Sequence, residues 1–182
     1  STWISGVSGF WDVAANWAGG FIPGADNDVV IDQAGDLTVT VRTTSPTRTF
    51  TVRSLFSNEN IAVTGSTLTL IDDSVINGRL TVSGGVLSIG TQLDTGALTV
   101  SSGTVSGGRL IASGSSNLMT GGTLSDLRLM LGSRFNASGG TLSNVTLSKQ
   151  GSSIGAGQVQ IRDGGDMRIV GALTLDNAEV TL

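Results

Sequence analysis

The chain contains no cysteine, no histidine and no tyrosine, and only 2 prolines in 182 residues. Without cysteine there are no disulfides and no thiolate metal sites. Without histidine the commonest general base is missing, together with the Ser-His and Cys-His nucleophile pairs and most transition-metal sites. Charge is scarce too: 13% of residues are charged, about half the usual share. The 10 basic residues are scattered singly, Lys149 is the one lysine, and the net charge is −4. No basic stripe exists to neutralise phosphates, which argues against a nucleic-acid partner. No run of about 18 apolar residues is present, so no segment is expected to insert into a membrane. The opening "STWISGVSGFW" lacks the basic start and apolar stretch of a secretory leader.

What the chain has is glycine, 27 residues of it, with abundant Thr, Ser, Val and Leu. That mixture favours strands and tight turns over helices. It is also repetitive: "TGGTLSDLRL" (Thr120–Leu129) returns 18 residues later as "SGGTLSNVTL" (Ser138–Leu147). Aligning on Leu68, Leu87, Val105, Leu124, Leu142, Val159 and Val180 gives steps of 19, 18, 19, 18, 17 and 21 residues. Two positions before each anchor the residue is small: Ser66, Gly85, Gly103, Gly122, Gly140, Gly157 and Ala178. The position before that is also small in most repeats, including Gly121, Gly139 and Ala156. Five before the anchor stand Val63, Val82, Val100, Met119, Ala137, Ile154 and Leu175, all apolar. Seven before stand Ile61, Leu80, Leu98, Asn117, Phe135, Ser152 and Leu173, mostly apolar.

Residues two apart on a strand share a face, so these two columns define one buried side. The unit reads as strand, glycine turn, strand and a looser segment. Alone it is too short to bury its own apolar face. Stacking the units about 4.8 Å apart turns the columns into a continuous core. The expected fold is an all-β, single-stranded parallel β-helix of about seven coils of 18–19 residues. No strict hexapeptide appears, and uneven corners favour a right-handed coil. A twisted β-sandwich with coincidental glycine spacing is the competing arrangement.

Residues 1–48 stand outside the period and are expected to form a capping segment, with the repeats over 49–182. All three tryptophans, Trp3, Trp11 and Trp17, lie in this segment. A short helical turn is expected at Asp12–Trp17, and strands at about Asp28–Asp32 and Leu37–Val41. A β-helix needs its first coil covered, and a Trp-rich start suits that lid. The same large flat rings also serve as sugar-stacking platforms, which makes Trp3, Trp11 and Trp17 ligand candidates for surface glycans.

The run Trp-x-x-x-x-Asn-Trp at Trp11–Trp17, "AGGFIPGADNDVVID" at Ala18–Asp32 and "TVRSL" at Thr51–Leu55 resemble the opening of very large bacterial secreted proteins. These carry autotransporter-type β-strand repeats or filamentous-haemagglutinin-like β-helices. The resemblance covers about residues 3–55 and is compositional beyond. It implies an extracellular or cell-surface protein, usually an adhesin or a structural stalk, and does not imply catalysis. The chain stops at "AEVTL" inside a repeat, which suggests a piece of a longer protein. The open last coil is expected to invite contact with another copy through its unpaired edge.

Carboxylates are what remain for chemistry: Asp26 and Asp28, Asp72 and Asp73, Asp163 and Asp166. Asp26, Asn27 and Asp28 form a weak calcium candidate, because a loop of several oxygens suits that ion. They equally make an Asx turn leading into a strand. "RDGGDMR" (Arg162–Arg168) reads as a corner turn. A polysaccharide hydrolase wants two or three carboxylates on one face, and a lyase a Lys or Arg base beside an acidic cation site. The acids here are dispersed, so an enzyme is not expected and no cofactor is implied beyond the calcium candidate. Finally, Thr67, Val86, Thr104, Thr123 and Thr141 flank the anchors on one side, with Thr69, Ser88, Ser106, Ser125 and Ser143 on the other. Such a Thr-x-Ser ladder orders water or meets ice if the face is flat. The uneven 17 to 21-residue steps count against that.

Overall fold

The computed structural model describes residues 1–152 and 157–182, and every side chain in them except that of Asp163. The chain winds into a parallel β-solenoid of about seven turns. All strand ladders among the described residues are parallel, apart from one isolated antiparallel bridge between Trp3 and Trp17. Each turn has three sides, here called faces A, B and C.

Face A begins with Thr38–Val41 and Asn60–Val63, face B with Thr49–Val52 and Thr67–Leu70, face C with Asp28–Ile31 and Ser54–Ser57. Further on, single strands run through the corners. Ser74–Ile89 and Gln92–Ser106 each cover C, A and B in turn, and Phe135–Lys149 and Gln158–Asp176 cover A, B and C. The looser segment of the repeat is thus a third strand. Its own apolar file, Leu93–Leu110–Leu129–Leu147–Leu175, stacks in register. The file is hard to see in the sequence because it lacks the glycine pair that marks the other sides.

Inward residues on face A form the file Val39–Ile61–Leu80–Leu98–Asn117–Phe135–Val159–Val180. Leu118, beside Asn117, is held in the same ladder against Thr99. On face B the file is Phe50–Leu68–Leu87–Val105–Leu124–Leu142–Ile169. Most of these side chains are fully buried, and each contributes about 1.5–3 kcal/mol relative to exposure. No unit buries its face without the coils above and below, so stability is shared along the rod.

Two expectations about register are corrected here. Leu142 is followed on face B by Ile169, not by Val159. Val159 and Val180 belong to face A, under Phe135. An insertion after Lys149 displaces the repeat, and spacing alone mistook the next apolar residue for the anchor. Ile154 and Ala156, assigned to columns from the sequence, lie outside the described residues. The second correction concerns the boundary at residue 48. Pairing with the repeats already starts at Asp28–Ile31 and Thr38–Val41, so 28–48 is the first coil and the lid is the part before it.

The corner between faces A and B carries the paired small residues. Gly103 has φ 74°, and a Cβ there would sit 2.5 Å from the Gly84 carbonyl oxygen. Only glycine allows both that backbone and that approach. At the corner between B and C two left-handed positions are not glycine, Asp126 and Asn144, both at φ 53°. Asn144 donates to Asp126 Oδ1 at 3.0 Å and accepts from the Ala172 amide at 3.2 Å, which ties three successive coils.

Candidate functional site

The lid is built around the tryptophans. Trp3, Trp11 and Trp17 are all 0% exposed. Trp17 meets Trp3 edge-on at 5.0 Å between centroids and Trp11 at 4.9 Å. Two short 3-10 turns, Ala14–Asn16 and Ala18–Gly20, bend the chain so that these rings close the top of the core. The first falls within the helical turn expected at Asp12–Trp17. Outside the rings, Asp12 accepts a bidentate pair of hydrogen bonds from Arg42, whose guanidinium lies 3.9 Å over the Phe10 ring. The sugar-stacking role proposed for the three tryptophans is therefore corrected: a ring with no exposed face cannot stack on a ligand. The exposed aromatics are Phe21 at 77%, Phe10 and Phe56. Sequence reasoning passed over Phe21 because nothing but tertiary packing separates it from the buried rings nearby.

The calcium candidate is also resolved into local bonding. The Asn27 amide donates to the Gly24 carbonyl at 3.0 Å, and Asn27 Oδ1 accepts from the Gly24 amide at 2.9 Å, closing a turn. Asp28 receives Arg53 through both of its carboxylate oxygens and Ser54 at 2.7 Å. The hydrogen bond from Arg53, with that from Ser54 second, holds the Asp28 carboxyl well below the usual carboxylate range. The same carboxylate raises the Arg53 pKa. Its oxygens are thus committed to fastening the first coil to the second, and Asp26 stands exposed beside it. Among the described residues, no group of three or more acidic side chains is placed to hold a metal ion. Asp73 accepts from the Thr91 hydroxyl at 2.7 Å, another link between coils. "RDGGDMR" lies where the ladder shifts register opposite Ala137–Gly139, as a corner should. Asp166 is exposed there, and the Asp163 side chain falls outside the described residues.

Two surfaces remain beyond these clusters. One is a shallow groove of about 530 Å³ along faces C and A, over Gly78 and Gly96, lined by Asp36, Asn60, Asn77 and Arg79. The other is the outside of face B. Its first outward file runs Thr49–Thr67–Val86–Thr104–Thr123–Thr141, and its second Thr51–Thr69–Ser88–Ser106–Ser125–Ser143. Both files end at the coil carrying Arg168 and Val170. In that last coil Ile169 and Leu175 are 53% and 49% exposed. Among the described residues, no helix is long and apolar enough to cross a membrane.

Comparison with protein-family models, with curated proteins and with solved structures finds no match to this chain.

Proposed function

We propose that the chain is a non-enzymatic structural and adhesive β-solenoid module of a large bacterial secreted or cell-surface protein. It works outside the cell as a stiff spacer whose side faces make contacts. The observation that carries this reading is where the reactive side chains go. Asp28 with Arg53, Asn58 with Asp32, Asn77 with Asn58, and Thr91 with Asp73 all join one coil to the next. Polar chemistry is spent along the rod axis, where it resists pulling, and among the described residues no cluster of carboxylates faces a shared point. The resemblance of residues 3–55 to the openings of autotransporter-type and haemagglutinin-like proteins supports the extracellular assignment.

Glycan contact falls in the Gly78–Gly96 groove, where the exposed side chains of Asn77 and Arg79 keep further N–H donors for sugar hydroxyls beside those given to Asn58 and Thr99. The experiment is a glycan array read with the whole chain and with Asn77→Ala and Arg79→Ala. Retention that falls in both variants supports adhesion through the groove. Release of reducing ends or unsaturated sugars from polysaccharides by the purified protein would overturn the reading.

A further inference from the structure

We infer that the outer side of face B is a binding surface for ice. The corrected register removes the objection that spacing raised. From Phe50 to Leu142 the coils on this face step by 18 or 19 residues without interruption. The long step to Ile169 comes only after the hydroxyl files have ended. Over six coils the outward positions therefore form a two-dimensional lattice. It repeats about every 4.8 Å along the rod and about every 6.7 Å along each strand. The repeat along the rod lies close to an oxygen spacing in the planes of hexagonal ice.

Three features separate this surface from an ordinary solvated sheet. The first is composition, for which the other faces serve as internal controls. Thr and Ser suit any exposed parallel strand, so strand preference alone would put them on all three sides. Face C instead presents Asp28, Arg109, Arg128, Phe56 and Met130, and face A mixes Ala62, Arg79 and Leu118 among its threonines. The second is bonding. Among the described residues, no face B hydroxyl from Thr49 to Ser143 is tied up with another side chain, whereas Thr91 and Thr99 elsewhere are held by Asp73 and Arg79. The third is charge: none occurs in either file before Arg168. The single exception to the hydroxyls is Val86, which has the shape of threonine and keeps the methyl. A neutral, regular array of free hydroxyls and methyls has nothing to steer an ion or to stack on a sugar ring. Its fit is to a partner as periodic and as uncharged as itself.

The test uses the whole chain labelled with a fluorophore. The readouts are incorporation into a growing ice hemisphere and thermal hysteresis. Wild type is expected to be captured by ice. Thr104→Arg and Thr123→Arg, each placing a charged side chain at the centre of the array, are expected to lose capture. Thr81→Arg, outward on face A, is expected to keep it. Circular dichroism identifies variants that remain folded, and either face B variant suffices. Exclusion of folded wild type from ice, equal loss in Thr81→Arg, or adsorption to crystalline cellulose without capture by ice would each overturn the inference. None of these outcomes touches the groove or the spacer role.

Discussion

Trp17 donates its indole Nε1–H to the Trp11 carbonyl at 2.8 Å in the fully buried lid. The Nε1 groups of Trp3 and Trp11 have no such partner among the described residues. The three rings are therefore not equivalent. Trp17→Phe removes area and strands a buried carbonyl, whereas Trp3→Phe removes area alone. Trp17→Phe is expected to cost about 1–3 kcal/mol more than Trp3→Phe in urea denaturation. Trp17→Ala adds a cavity and is expected to cost about 3–5 kcal/mol.

Asn117 interrupts an aliphatic file, and its amide explains why. Oδ1 accepts from the Leu98 amide at 3.0 Å, and Nδ2 donates to the Gly114 carbonyl at 2.7 Å. The side chain caps backbone groups that the turn before it leaves without strand partners. Asn117→Leu restores the apolar pattern yet should destabilise, by about 1–3 kcal/mol for each group left unpaired. A thermal melt at fixed pH reads the shift.

At Gly103, alanine meets both a positive φ and the Gly84 carbonyl. The left-handed conformation alone costs an L-residue about 1–2 kcal/mol. Gly6→Ala, with no atom within 4 Å of the new Cβ, should change the urea midpoint little. A Gly103→Ala variant as stable as Gly6→Ala would contradict the corner geometry.

The Asp28 carboxyl is lowered in the fold by Arg53 and then Ser54. Folding thus favours its charged form, against an unfolded value of about 3.9. Its stabilising contribution is present above about pH 4 and fades as pH falls towards the depressed folded value. The pair is exposed, so the effect is small and screened by salt. Between pH 5 and pH 2, the loss of stability in wild type should exceed that in Asp28→Asn, and added salt should narrow the gap.

Val159 is 1% exposed and Ile169 53%. Val159→Ala should therefore destabilise by about 1–3 kcal/mol, while Ile169→Ala stays within about 0.5 kcal/mol. The repeat read by spacing would place Val159 on face B, but the file it completes lies under Phe135 on face A. A disulfide trap between cysteines placed at Phe135 and Val159 checks that neighbour directly.

Much of the fold was legible because a solenoid writes its contacts as a period. Leu68, Leu87, Val105, Leu124 and Leu142 stack as their spacing says. The period failed where an insertion broke it, after Lys149, and it hid face C, whose leucines lack a glycine signature. The candidate sites were less legible. Asp28 and Asn27 have calcium-like oxygens in sequence, but hydrogen bonds to Arg53 and Gly24 use them.

A stacked β-fold with small residues at one corner can be read from the order of residues alone, because side-chain alternation and glycine's freedom act within a few residues of each other. Which tryptophan faces are covered, which carboxylates are occupied and which hydroxyls stand free is set by the winding of the chain. Those properties belong to residues one or more coils apart, and they depend on how each coil is placed over the last.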